Sequence, residues 1–313
     1  MKPTQLQNVL IKYLSNAGYQ KIQYTNNFII AEGELPICLI AHMDTVFNNL
    51  PQEFFYDSKK KVLWSNHGSG FDDRAGIYGI IQCIEDDLKP HIIFTQGEER
   101  GGIGAKALIN LLPFCPFSDC RALIELDRAN ERDSVFYDCD NRDFEKWINS
   151  FGFKTDYGTF SDISIIAPEW KIAAVNLSIG YADEHTYAER LYCEWCDKTI
   201  EKVKKILKAS SNMLSYDYVP IKYDTKYWSQ SYDNNFYGSP VEDDNFDNEY
   251  DVSKMKYCLL CNTHLNDNNK HIIPDKNYPY VVCDTCFNNY YDSEAIYKGG
   301  YMNSKEEFNL PFE

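Results

Sequence analysis

No apolar run in this 313-residue chain approaches the roughly 18 residues that a membrane span requires, so no segment reads as a transmembrane helix. The opening stretch, "MKPTQLQNVLIKYL", carries neither an uninterrupted apolar segment nor a small-residue cleavage site, and so does not read as a secretory signal peptide. A cytoplasmic location without membrane attachment is the expectation. Positive charge is also scarce: 31 Lys and Arg stand against 47 Asp and Glu, for a net charge of −16. A broad phosphate-binding surface needs a local excess of cations, so nucleic acid is not an expected partner. No internal repeat is visible. Structural disulfides are not expected either, because in a reducing compartment the eleven cysteines read as thiols and metal ligands.

The chain is rich in core-forming residues. With 44% hydrophobic and 15% aromatic residues it can bury one good-sized core plus a smaller module. Residues 4–15 have helical period, with Leu6, Val9, Leu10, Tyr13 and Leu14 on one face and Thr4 with Gln7 fitting a capping box. Short β-rich runs follow at "NFIIAE", "PICLIA", "HIIFTQ", "ALIELD" and "IAAVNLSI". Between several of them lie the helical periods "RAGIYGIIQCIEDD", "GIGAKALINLL" and "RDFEKWINSF", and a last helix is expected over 188–209. Strands alternating with helices predict an α/β layered domain over 1–209. Residues 210–253, rich in Tyr, Asp, Asn and Ser, read as an acidic linker, disordered in part or draped on the domain, and 254–313 as a small module and tail.

The polar residues that end the apolar runs form a set. His42 and Asp44 follow "CLIA", Asp72 and Asp73 open a helix in "SGFDDRAG", and Glu98 and Glu99 follow "IIFTQG". Asp127 closes "LIELD", and His185 stands in "IGYADEHTYAE". In open α/β sheets the carboxyl ends of strands line the ligand crevice, so positions far apart in sequence converge there. Two histidines with several carboxylates are donor types that suit zinc with a place left for water. Each pair alone has an ordinary reading: a solvated loop pair, a helix cap, a solvated face. His67 in "SNHGSG" reads as a loop residue, and Cys193 and Cys196 in "CEWC" as packing residues, with a redox pair as the alternative.

The order His-x-Asp, Asp-Asp, Glu-Glu, Asp, His resembles the co-catalytic dinuclear zinc peptidases and deacylases over roughly 1–209. The resemblance implies a three-layer α/β/α fold with a mixed, mostly parallel sheet, of the phosphorylase/hydrolase-like type. It implies two catalytic zinc ions, replaceable by cobalt or manganese. Asp72 would bridge them, His42 and Asp127 would complete one site, and Glu99 and His185 the other. Glu98 would be the general base, Asp44 would orient His42, and the Asp72–Asp73 peptide would be cis. On an extended segment Glu98 and Glu99 would point opposite ways, leaving one free to carry a proton.

Only 58 positions separate Asp127 from His185 and 30 separate His42 from Asp72, too few for the inserted domains of the carboxypeptidase-type and tetrahedral branches. The chain thus resembles the compact, single-domain aminopeptidase branch, although "DDRAG" is worded like the tetrahedral one. The implied function is hydrolysis of a peptide or amide bond, with an aminopeptidase favoured over a deacylase, desuccinylase or dipeptidase, acting on peptides or acylated amino acids. Arg74, Arg128, Asp162 and Glu184 are candidates to meet substrate termini, and surface pairing or capping explains each equally well. Cys258, Cys261, Cys283 and Cys286 form two C-x-x-C knuckles separated by 21 residues, the pattern of a zinc ribbon holding one structural zinc. His264 and His271 are alternative ligands there, and a protein partner is the expected user of the ribbon. The rival from another class is a non-catalytic binding protein acting through that ribbon, against which the Glu98–Glu99 pair argues.

Overall fold

The structure, a computed structural model, describes residues 3–47, 51, 53–221, 265–266, 270–273 and 280–284. Two compact units divide the chain, Met1–Tyr227 and Trp228–Glu313.

In the first unit α1 (Pro3–Asn16) precedes the strands β1 (Ile22–Tyr24), β2 (Phe28–Ala31) and β3 (Leu35–His42). The helix starts at Pro3, a residue whose fixed φ suits a first helical position, so Thr4 lies inside it. The expected capping box is not what Gln7 serves: its amide donates to the Thr25 carbonyl at 2.5 Å. There follow β4 (Phe55–Asp57), β5 (Val62–Trp64), α2 (Phe71–Glu85), β6 (Pro90–Thr95), a 3-10 turn at Glu98–Arg100, α3 (Ile103–Leu111) and β7 (Ala122–Arg128). Then come β8 (Asp133–Val135), α4 (Arg142–Asn149), β9 (Lys154–Thr155), α5 (Asp162–Trp170) and β10 (Ala174–Ser178). The short strands β11 (Tyr181–Ala182) and β12 (Arg190–Tyr192) lead into α6 (Cys193–Ala209).

The main sheet has the order β1-β2-β6-β3-β7-β10-β8-β9. Its centre, β6, β3, β7 and β10, is parallel, and β1, β2 and β8 pair antiparallel at the flanks. Alternation along β3 shows how it is buried on both faces. Ile37, Leu39 and Ala41 join a core with Leu10, Ile80, Phe144 and Val203 from α1, α2, α4 and α6, while Cys38 and Ile40 face Leu108 and Ile166 from α3 and α5. Two cores on the two faces of a mixed, mostly parallel sheet make the three-layer α/β/α fold.

A second sheet, β11-β12-β5-β4, runs beside the first. It takes residues from the expected last helix, because Arg190, Leu191 and Tyr192 pair with Trp64, Leu63 and Val62 and leave α6 to begin at Cys193. Residues after 209 return to the main body through bridges of Pro220 to Cys139 and Asp217 to Ile172. No helix among the described residues is long and apolar enough to cross a membrane.

In the second unit, described by itself, β13 (Lys270–Ile273) and β14 (Tyr280–Cys283) pair antiparallel, and His271 bonds to Asp284. Cys283 ends β14. Cys258, Cys261, Cys286 and His264, and with them the expected ribbon, lie outside the described residues.

Candidate metal centre

The parallel strands deliver the set to one place. His42 ends β3 and is wholly buried, Asp127 is the second-last residue of β7, and Glu98 and Glu99 follow β6. Asp72 and Asp73 are counted in α2 but have non-helical angles (φ −81°, ψ 100° and φ −120°, ψ 46°), so the regular helix begins after them. The peptide bond between them is cis, as the resemblance implies. Gly76, on the next turn, is a close approach: a Cβ there would collide with the Leu126 carbonyl and the Asp73 carboxylate, so only glycine lets α2 lie this near β7. His185 comes from the loop between β11 and β12, at φ +61° and half exposed.

Asp72 is the centre of the geometry. Its Oδ1 lies 2.9 Å from His42 Nε2 and its Oδ2 lies 3.0 Å from His185 Nε2. Asp127 Oδ1 stands 3.4 Å from the same His42 nitrogen, and Glu99 Oε2 stands 3.0 Å from that of His185. The pairing that the resemblance implies, His42 with Asp127 and His185 with Glu99 across one shared carboxylate, is therefore the pairing of contacts in the structure.

Glu98 and Glu99 are not on an extended segment. Gly97 and Gly101, at φ +84° and +82°, bracket a tight turn in which the N–H groups of Gly101 and Gly102 both reach the Glu98 carbonyl. The two side chains still diverge, because successive residues of a 3-10 turn are about 120° apart. Asp44 holds this turn: its Oδ1 accepts the N–H of Gly97 at 2.5 Å and of Glu98 at 3.2 Å. The same oxygen is 3.5 Å from His42 Nδ1, longer than a formed hydrogen bond, and Nδ1 has no other partner. Asp44 thus sits where it can orient His42 while its formed bonds fix the Glu98 turn.

Several residues around the site were not visible in the sequence. Glu189 accepts the N–H groups of Ser69, Gly70 and Asp72 at 3.0, 2.5 and 3.0 Å. Tyr181 donates to Asp127 Oδ1 at 3.1 Å, and the Asn176 amide clamps the Asp127 backbone with two bonds of 2.9 Å. Asp73, already singled out in the sequence, accepts the N–H of His42 at 3.1 Å and of Gly76 at 2.8 Å. Only the spacing of Glu189, four residues after His185, hinted at a shared loop.

The four candidate substrate contacts fare differently. Asp162 is wholly buried and takes a hydrogen bond from Thr95, so it cannot meet a substrate terminus. Arg128 is tied to the Tyr157 carbonyl at 3.1 Å and to Asp156 at 3.4 Å. Glu184 is exposed beside His185. Arg74 lines a mostly apolar pocket with Thr45, Phe47, Pro51, Phe54 and Gly68. His67 is exposed in its loop, and Cys196 is buried in the core with Cys193 half-buried beside it.

The electrostatics test whether metal ions fit. Asp44, Asp72, Asp73, Glu98, Glu99 and Asp127 gather about His42 and His185, and two imidazoles cannot neutralise that charge in so dry a space. Burial, with Asp127 next, pushes the Glu98 carboxyl up to about 9, and burial raises Asp127 to about 7. Burial also works on Asp72, but hydrogen bonds with His185 and His42 outweigh it and hold that carboxyl well below the usual range. Ligand atoms of His42, Asp72 and Glu99, and of His42, Asp73 and Asp127, lie within 4.8 Å of one another. Both Asp73 oxygens already serve backbone N–H groups, so Asp72, not Asp73, is the better shared donor. Nitrogen and carboxylate oxygen donors at this spacing fit divalent cations, zinc foremost.

No family model matches the sequence, and no curated protein matches it. Among solved structures, a tripeptidase from Staphylococcus aureus is similar at 16% identity and TM-score 0.55, over 67% of this chain and 93% of that one. Aminopeptidase PepT from Bacillus cereus is similar at 16% identity and TM-score 0.55, over 66% and 93%. The chain shares the fold of these two peptidases. At this identity the likeness concerns the fold of the first unit, and the chemistry rests on the residues themselves.

Proposed function

We propose that the chain is a metal-dependent peptidase, an aminopeptidase acting on peptides through two zinc ions. The observation that carries the reading is the Asp72 carboxylate, with one oxygen toward His42 and Asp127 and the other toward His185 and Glu99. His42 and Asp127 would hold one ion, His185 and Glu99 the other, and Asp72 both. When bound, such a pair lowers the pKa of a shared water and polarises the scissile carbonyl.

The chain's own residues do the rest. Glu98 accepts the proton of the attacking water and delivers it to the leaving amine. Its carboxyl is raised by burial, and the positive charge of bound ions would lower it toward the range of a base. Asp44 fixes the turn that presents Glu98. Tyr181 and Asn176 keep Asp127 from rotating away, and Glu189 holds the loop that leads into Asp72. The apolar pocket with Arg74 in its wall would take a substrate side chain, and the exposed Glu184 beside His185 would meet a free amino terminus.

Replacing Glu98 with Gln should lower hydrolysis of aminoacyl p-nitroanilides by about 10²–10⁴-fold while the metal content per chain stays the same. Unchanged hydrolysis in that variant would remove the mechanism. Unchanged metal with no hydrolysis of any peptide or acylated amino acid by the parent protein would favour a binding role instead.

A further inference from the structure

The loop joining α3 to β7, residues 112–121, takes no part in the metal centre. It lies at the amino end of β7, away from the carboxyl ends that carry the ligands. Its middle is pinned: Phe117 is buried and stacks on His91 with ring centroids 4.3 Å apart, and His91 Nε2 lies 3.0 Å from Asp119. Cys115 and Cys120 flank this pinned turn, and both are half-buried free thiols. Cys115 Sγ donates to the Phe117 carbonyl and Cys120 Sγ to that of Ala122, each at 3.6 Å, and the two thiols are near enough for each to shift the other's titration. The other described cysteines differ. Cys38, Cys83, Cys139 and Cys196 are buried, and Cys193 has only the buried Cys196 close in sequence.

We propose that Cys115 and Cys120 form a reversible dithiol–disulfide site that is oxidised by low-molecular-weight disulfides. The two sulfurs share one short loop on either side of its pinned centre, and Phe114 and Ser118 beside them are exposed, so the approach to a bond length of about 2.05 Å needs movement of the loop arms alone. The neighbouring Cys115 sulfur, with burial adding to it, raises the Cys120 thiol, and the Cys120 sulfur lowers that of Cys115, which makes Cys115 the first thiolate. Cys115 attacks one sulfur of the reagent, whose S–S bond breaks and releases one thiol. Cys120 then gives its proton to solvent and attacks the Cys115 sulfur, expelling the second thiol. The protein loses two thiol hydrogens and the reagent is reduced to two thiols. A loop this short gains little from closure, which keeps the bond reducible.

The test uses the full chain in native buffer, treated with oxidised glutathione, blocked with a maleimide and digested with trypsin, which releases residues 107–121 as one peptide holding both cysteines. The expected result is a peptide lighter by two hydrogens, free of glutathione and of maleimide, and restored by dithiothreitol. In Cys120→Ser the reaction should stop with one glutathione on Cys115. Maleimide on both cysteines after oxidation, or a lasting glutathione adduct in the parent peptide without the internal bond, would overturn the site. An unmodified Cys115 in Cys120→Ser would overturn the assigned order of attack.

Discussion

His42 and His185 meet the two oxygens of one carboxylate, yet they stand on different kinds of structure. His42 ends a central strand, has no exposed surface, and is flanked by Asp73, Asp127 and Asp44 from neighbouring elements. His185 sits in a hairpin loop with a left-handed backbone and 52% of its side chain exposed. Half of the centre is thus built by the sheet and half is laid over it by a loop. Removing any part of the sheet-built half leaves buried charge unpaired. The loop-built half ends in an imidazole that water reaches, so losing His185 should disturb the core less.

Four outcomes would break or sharpen that contrast. The largest is expected for Asp72→Asn, which touches both halves. It should remove both ions by elemental analysis and cost roughly a thousandfold or more in hydrolysis, about 4 kcal/mol; retention of one ion would mean that the halves are independent. Next come the two histidines taken singly. His42→Ala should lose an ion and also lower the melting temperature, since it strands buried carboxylates at a cost of about 3–5 kcal/mol, whereas His185→Ala should lose an ion with melting nearly unchanged. Equal melting losses would abolish the distinction. Tyr181→Phe removes one hydrogen bond from Asp127 in the buried half, so ion affinity there should weaken by about 10-fold, while titration of the other ion stays as before.

The smallest effect concerns pH in the ion-free protein. Hydrogen bonds to Asp72 and Glu99 raise His185 to about 11, above the ordinary histidine value of 6.5. A folded-state value above the unfolded one gives stability that is whole below about 6.5 and is lost as pH climbs toward 11. Solvent screens the half-exposed imidazole, so the slope should be shallow. His185→Gln should flatten it in urea titrations, and an unaltered slope would place the titrating group elsewhere.

The same contrast governs what the sequence revealed. Apolar runs that end in a polar residue mark buried strands, so β3, β6 and β7 and their attached His42, Glu98, Glu99 and Asp127 could be read directly. The layered fold followed from the alternation of such runs with helical periods. Tyr181, Asn176 and Glu189 were hidden because their partners are backbone groups or side chains 49 to 120 positions away, and no local pattern encodes such pairings. The helix expected from residue 188 failed at its first turn for a related reason. Arg190–Tyr192 has no strong preference of its own, and the free edge of β5 decides its conformation. Asp162 looked like a surface contact because nothing in "GTFSDIS" announces that Thr95 will cover it.

The three N–H groups gathered by Glu189 give the hairpin a second duty. One short ribbon both carries His185 and grips the segment that ends in Asp72, so the donor and the carboxylate it faces are fastened to a common frame. A displacement of the ribbon would therefore carry the two together, as the jaws of a caliper keep their setting when the instrument is tilted. The spacing of Asp72 from His42 would rest on the buried strand end and on the bond from the His42 N–H to Asp73.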